Sequence, residues 1–422
     1  MNKINRIFLG IYLSFHLANA QHTEVNDSIL HFKVDSIIQD AIRQKAFPGA
    51  QLLIARHDSI VFHETFGFHT YDSVVPVQRE NLYDLASVTK ILGPLPALMR
   101  LVDEGKLDLD QPFSNYWKPW RKYKDKRGLT LREILAHQAG LTPYIVFLNE
   151  VRTKKGQLKK RFVRTKPSRR FMKQAYDGLY VNNRFQQKVF RKINRSKVAA
   201  EKKYKYSGLT FLVFPSLIEQ LTGQKYEAYL AKMFYHPVGA MTLGFTPVKN
   251  KIGNTIVPTE NDTLFRNTLT KGWVHDENAA LLGGVSGNAG LFGTANDIFR
   301  MMSLYQNFGF FEGNQLLKKE TVQEFTSIQY PENENRRGLG FDKPLIGNDT
   351  LPLSESYPAQ LSSPKSFGHA GFTGTFAWAD PENKLIFIFL SNRVYPTRES
   401  RGLYNLNIRP KLQQLFYESL ID

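Results

Sequence analysis

The hydrophobic pattern changes period several times along the chain. Val34, Ile37, Ile38, Ala41 and Ile42 share one helical face and predict a helix over 36–43, stopped by Phe47-Pro48-Gly49. Two β-rich runs, 50–55 and 60–66, flank His57-Asp58 and predict a hairpin. Residues 85–104 have helical periodicity, 108–116 read as a loop, and a further helix is expected over 131–136. Downstream, Thr294 with Asp297 three residues on resembles a capping box, ahead of the helical spacing of Ile298, Met301, Met302, Leu304 and Tyr305. The period then drops to two. Strands are predicted over 372–379 and 384–390 around the turn Asp380-Pro381-Glu382-Asn383, with a closing helix over 406–420. Strands near both ends with helices between them predict an α+β fold, one lobe built from the two termini and a helical lobe inserted between. No internal repeat is visible.

The first twenty residues read differently. Lys3 and Arg6 precede the apolar run 7–17, and Ala18-Asn19-Ala20 supplies small residues, so a signal peptide over 1–20 with cleavage near Ala20 is expected. The mature protein is then periplasmic or secreted and spans 21–422. The run is shorter than the roughly 20 residues of a membrane span, and no later stretch replaces it. With no cysteine in 422 residues, disulfides, thiolate nucleophiles and cysteine-ligated zinc are excluded.

The formal charge of +18 is concentrated in one place. Residues 151–205 hold twenty Lys and Arg against Asp177 and Glu201, whereas the remainder holds thirty-six of each sign. This basic insertion interleaves its cations with Phe162, Phe171, Tyr176, Tyr180, Phe185 and Phe190. A helical insert with a solvated charged face is one reading. The other is a patch for an anionic envelope polymer or an anionic membrane surface. Nucleic acid is not expected as a partner of an exported protein.

For chemistry, Ser87-Val88-Thr89-Lys90 places a serine and a lysine on one face at the head of a predicted helix, where free N–H groups favour developing negative charge. A serine hydroxyl needs a neighbouring base, and a desolvated lysine can serve. From spacing alone, an ordinary N-cap serine beside a solvated lysine fits as well. Ser362-Ser363-Pro364-Lys365 repeats the pattern, but Pro364 and the following strand deny it a helix. His137 and the His275-Asp276 pair are assigned to structure; one His-Asp pair lacks the ligand count of a closed zinc site, and neither metal nor cofactor is expected.

Two further stretches change the weighting. Tyr206-Ser207-Gly208 precedes an apolar helix, and the run from Phe367 to Thr375 (FGHAGFTGT) opens a C-terminal strand. In order with Ser87 and Lys90, they resemble the three-part site of serine β-lactamases of class C, penicillin-binding DD-peptidases and related esterases: SxxK, Tyr-x-Asn, Lys/His-Thr-Gly. LAHQAGL (135–141), VHDENA (274–279) and GGVSGNAGLFGTAND (283–297) look like the same family. The resemblance implies a β-lactamase/transpeptidase-like antiparallel sheet flanked by helices, plus a helical lobe. It also implies Ser87 as nucleophile, Lys90 and Tyr206 as proton relay, and the N–H groups of Ser87 and Phe372 as oxyanion hole, with His369 and Gly371 on the substrate-binding strand. Tyr204 competes with Tyr206, which is preferred because Leu209, Leu212 and Val213 follow it in family register.

Two departures shape the expected function. Gly208 stands where the family usually has Asn, and His369 where class C β-lactamases have Lys. Both weigh against antibiotic hydrolysis, because an amide and a cation are missing from the lactam site. The expectation is a peptidase, amidase or esterase for peptidoglycan-like or small D-amino-acid substrates. The alternatives are a β-lactamase and a penicillin-binding-like binding protein without turnover.

Overall fold

The computed structural model describes residues 27–420; the expected signal peptide lies outside them. Its main sheet has strands β1 (Gly49–Arg56), β2 (Ser59–Gly67), β3 (Phe367–Ala370), β4 (Phe376–Asp380) and β5 (Leu385–Ser391). They are antiparallel in the order β3-β4-β5-β1-β2, so the two ends of the chain meet where β1 pairs with β5. The β1–β2 connection is the expected His57-Asp58 turn, with φ of 49° and 63°. Two residues in this region close a hairpin with the twist of its strands.

Alternation along the strands separates two cores. Leu52, Ile54, Trp378, Phe387 and Phe389 face helices α1 (Asp27–Arg43) and α3 (Ile408–Glu418), while Leu53, Ala377, Ile386 and Ile388 face the opposite way. There α2 (Ala295–Gln306) packs through Ile298, Met301, Met302 and Tyr305, and the helical lobe continues the same core. The predicted Thr294–Asp297 capping box is present. α1 begins nine residues before the predicted helix, at Asp27. Among the described residues no helix is long and apolar enough to cross a membrane.

Three expectations need correction. The run 85–104 is not one helix but a 3-10 turn (Ala86–Val88), a helix Thr89–Leu92 and a helix Pro94–Asp103. Pro94 keeps Gly93 out of helical geometry, and a Cβ on Gly93 would lie 2.7 Å from the Tyr226 hydroxyl. The strand expected over 372–379 starts only at Phe376, because Gly371–Thr375 is a turn closed by the Gly371 N–H to Thr375 C=O bond of 2.7 Å.

The basic insertion, thirdly, is helical only over Phe185–Arg195. Ahead of that helix, Val163–Arg164, Lys173–Tyr176 and Leu179–Val181 form a three-stranded antiparallel sheet. Its inward residues Val163, Ala175 and Val181 join the main core together with Phe185, Val189 and Ile193 of the helix. The indole N–H groups of Trp117 and Trp120 both donate to Asn194 Oδ1, at 2.9 and 3.0 Å, and fasten the helix to the rest of the lobe.

Candidate active site

Ser87 sits in the 3-10 turn, next to Ala86 at φ 44°, a left-handed conformation that a side chain disfavours. The turn is pinned on every side. The buried Asp84 carboxylate accepts from the N–H of Ala86 at 2.9 Å and of His275 at 2.6 Å. Thr373 Oγ1 donates to Asp84 C=O at 2.7 Å, and Thr375 Oγ1 to Leu85 C=O at 3.0 Å. The Gly371–Thr375 turn therefore presses directly on the backbone that presents Ser87. Gly371 permits the approach, since a Cβ there would lie 2.7 Å from Leu85 C=O and 2.0 Å from Thr375 Oγ1.

Lys90 follows three residues on and is 2 % exposed. Its Nζ donates to Ser87 Oγ at 2.8 Å and to the backbone C=O of Asn288 at 2.9 Å. Asn288 is held in turn by its own side chain, which accepts from Ser286 Oγ and donates to Asp276 Oδ1. The Tyr206 hydroxyl lies 3.4 Å from Ser87 Oγ, and Lys90 Nζ is 5.4 Å from the centre of its ring. Burial pushes the Tyr206 phenol up, but the charges of Lys90 and Arg337 and the hydrogen bonds from Lys90 and Ser87 outweigh it and bring it below the ordinary tyrosine value.

Of the two tyrosines, only Tyr206 reaches the serine; Tyr204 is 40 % exposed and its hydroxyl accepts from Arg337 Nε at 3.3 Å. His369 is buried within β3 with its Nδ1 2.7 Å from Ala370 C=O, which places the proton on Nδ1 and leaves Nε2 as an unpartnered acceptor. Burial first, then the charges of Arg337 and Lys90, lower its pKa to about 3, so the ring is neutral at physiological pH. The second serine–lysine pair does not meet. Ser362 Oγ donates to Ala359 C=O, and Lys365 pairs with Glu382 at the surface.

Ser87 and Phe372 open onto a cavity of about 460 Å³ with an apolar rim of Tyr144, Val146, Leu148 and Leu264. Lys90, Tyr206, His369 and Gly371 are not on its wall. Behind Phe372 lies an ionic cluster. His275 Nε2 is 2.8 Å from Glu260, and Arg398 bridges Glu260 at 2.6 Å and Glu277 at 2.8 Å. His275, Asp276, Glu277 and Arg398 line the cavity as well, so the VHDENA stretch supports the site wall in addition to capping its helix through Asp276. Among the described residues no group of three or more His, Asp or Glu side chains is placed to hold a metal ion.

Three contributors escaped the sequence reading. His137, expected only at a helix end, also places its ring 4.5 Å from that of Tyr206 and accepts from the Ser207 N–H at 3.3 Å. Asn288 acts through a backbone carbonyl, which no motif displays. Arg337 is buried, with its guanidinium 5.2 Å from the Tyr206 ring centre and Nε 3.6 Å from Asp342. Asp342 is tied to β3 through two backbone hydrogen bonds with Gly368.

A five-stranded antiparallel sheet between helices, with a buried lysine and a tyrosine on one serine hydroxyl, defines a serine hydrolase of α+β architecture. The family described as Beta-lactamase matches residues 34–408, and the chain belongs to it. A protein of Escherichia coli O157:H7 with the provisional name D-alanyl-D-alanine carboxypeptidase is 29 % identical over 371 residues, covering 82 % of this chain and 79 % of its own. A Salmonella gallinarum protein with the same provisional name is 28 % identical over 431 residues, with 96 % and 92 % covered. Among solved structures, EstCE1, a hydrolase with promiscuous acyltransferase activity, has a TM-score of 0.65 at 19 % identity, covering 92 % of this chain and 100 % of its own. A penicillin-binding protein homologue from Caulobacter crescentus has a TM-score of 0.63 at 18 % identity, with 92 % and 97 % covered. The two structures share the β-lactamase/transpeptidase-like fold.

Proposed function

We propose that the protein is an exported amidase, peptidase or esterase that forms an acyl-enzyme at Ser87. The observation that carries this reading is the convergence of Lys90 Nζ and the Tyr206 hydroxyl on Ser87 Oγ, at 2.8 and 3.4 Å. Ser87 Oγ attacks the substrate carbonyl as its proton passes to the Lys90–Tyr206 pair, and the N–H groups of Ser87 and Phe372 receive the oxyanion. The pair then protonates the leaving amine or alcohol, and water attacks the ester in the same manner. The apolar cavity rim suits a small aliphatic or aromatic acyl group, and the provisional names of the relatives support D-amino-acid or peptidoglycan-like material as the substrate class. Neutral His369 and the side-chain gap at Gly208 make β-lactams the poorer substrates.

Labelling with a fluorophosphonate and with a fluorescent penicillin tests this, with the adduct located by peptide mapping and its release timed. The expected result is an adduct at Ser87 that turns over with small esters or D-amino-acid amides and is absent from Ser87→Ala. Lys90→Ala and Tyr206→Phe should each slow acylation by roughly 10²-fold or more. Undiminished labelling of Ser87→Ala sinks the reading, and an adduct at Ser362 would assign the chemistry to the other motif. A penicillin adduct that never turns over, with no hydrolysis of any small substrate, would make the protein a binding module instead.

A further inference from the structure

The unequal charge of the chain has a definite position in the fold. Fifteen of the twenty cations in 151–205 are exposed, while the apolar side of the same segment is fixed in the main core. The acids that reach the segment's cations are few: Glu150 pairs with Lys188 and Lys192, Glu133 with Lys202, and Glu201 with Lys203. Among the described residues no ion pair involves any of the nine cations between Lys154 and Arg170. Instead, Arg161 lies 4.7 Å over the Phe162 ring and Arg164 4.6 Å over that of Phe171. Stacking of this kind fixes a guanidinium with its N–H fork directed outward.

These cations gather around two concavities. One, of about 630 Å³, holds Arg152, Lys154 and Lys159 with Thr153; the other, of about 520 Å³, holds Lys160, Arg164 and Lys166 with Ser168. Three cations with one or two hydroxyls in each are suited to one phosphodiester or a short run of them. The first concavity begins at Asn149 and Arg152, at the end of the helix Leu148–Val151, whose Leu148 lines the cavity containing Ser87. The helix Leu148–Val151 thus gives Leu148 to the wall of one cavity and Asn149 to the wall of the other.

We propose that this face binds a linear phosphate-bearing polymer, a chain of phosphodiester-linked sugars or polyols, and holds it so that it runs toward the catalytic cavity without taking part in bond breaking. A polymer fits better than a bilayer surface. The cations line hollows suited to separate phosphates, and Met172 and Tyr204 are the only large apolar side chains of the segment exposed for insertion into lipid. The direction toward Ser87 rests on the serine-hydrolase reading above; the binding does not.

The test uses the full mature chain and two probes, linear inorganic polyphosphate and vesicles of phosphatidylglycerol in phosphatidylcholine. The variant changes six exposed cations together: Lys154→Glu, Lys155→Glu, Lys160→Glu, Arg164→Glu, Lys166→Glu and Arg169→Glu. The parent should bind polyphosphate with an affinity that falls linearly in log–log form as salt rises, and the variant at least about a hundredfold more weakly at low salt. Hydrolysis of a small neutral ester should be unchanged, and Ser87→Ala should bind polyphosphate like the parent, which keeps a failed hydrolase reading separate from a failed tether. If the reversed chain does not fold, the same six positions changed to Gln carry the comparison. Equal binding by parent and folded variant overturns the proposal, as does binding of the parent to vesicles but not to polyphosphate.

Discussion

The guanidinium of Arg337 and the ammonium of Lys90 both lie over the ring of Tyr206, at 5.2 and 5.4 Å from its centre. A buried phenol between two cations releases its proton more readily than burial alone would allow. In the proposed mechanism Arg337 acts as a positioning residue for the Lys90–Tyr206 pair, itself held by Asp342 on the sheet side.

Removing that charge while keeping the fold should act on the pH profile. In Arg337→Gln the pair holds its proton to higher pH, so the ascending limb of kcat/KM moves up and the value at pH 7 falls about tenfold, equivalent to about 1.4 kcal/mol of barrier. Arg337→Lys should restore most of the limb. A drop in Tm with the limb unmoved would show that Arg337 serves packing alone.

Gly371→Ala should be among the most damaging small substitutions in the protein. Its Cβ would overlap Thr375 Oγ1 and crowd Leu85 C=O, the groups that press the turn onto the backbone before Ser87. Overpacking of this kind costs typically 1–3 kcal/mol. Relief by moving the turn would displace Phe372 from Ser87 as well, so acylation should fall by roughly 10²-fold, the scale for losing one oxyanion donor. Parent-like rates with parent-like Tm would contradict the close fit.

Gly208→Asn should be accepted without loss of fold, because no heavy atom lies within 4 Å of a Cβ placed there. Tm should change little, as for surface substitutions within about 0.5 kcal/mol. The added amide should raise β-lactam hydrolysis relative to ester hydrolysis if its absence is what disfavours lactams. An unchanged ratio, measured with one penicillin and one ester, would remove Gly208 from the account of specificity.

Legibility in the sequence follows the range of the interactions involved. The β1–β2 hairpin was readable because alternation and the His57-Asp58 turn are local; the three-residue spacing of Ser87 and Lys90 was shared by Ser362 and Lys365, and the resemblance carried by 206–208 and 367–375 singled out the first pair. The resemblance, with Leu209, Leu212 and Val213 in family register, separates Tyr206 from Tyr204, and only Tyr206 lies beside Ser87. Arg337 was not readable: Arg336-Arg337 in a glycine-bearing stretch looks like surface charge, and its partner Tyr206 is 131 residues away. The break at Gly93 was hidden by apolar periodicity that runs through it, although Pro94 forbids the helix there. In the insertion, Val163, Ala175 and Val181 are too widely spaced among lysines and arginines to mark strands, so no local alternation reveals the small sheet.

Histidines whose pKa burial lowers reduce stability in acid, and His369 contributes a defined part. Its pKa is 6.5 when unfolded and about 3 when folded, so between these values the unfolded chain binds the proton and the folded one does not. Stability from this group is therefore fully present above pH 6.5 and is lost progressively as pH falls toward 3. One such proton contributes a slope of about 1.4 kcal/mol per pH unit within that window. His63, lowered to about 4 by burial and then by Arg79, and His137, lowered by burial and then by Arg337, add in the same direction. Replacing His369 by Gln removes one titrating group and leaves those two in place. Denaturant unfolding at several pH values should therefore show Gln at this position lowering the slope of unfolding free energy against pH by up to about 1.4 kcal/mol per unit between pH 6.5 and 3, with no change of slope above pH 7. A slope identical to the parent's throughout would mean that His369 is protonated in the folded protein, and its neutral role beside Lys90 and Arg337 would have to be abandoned.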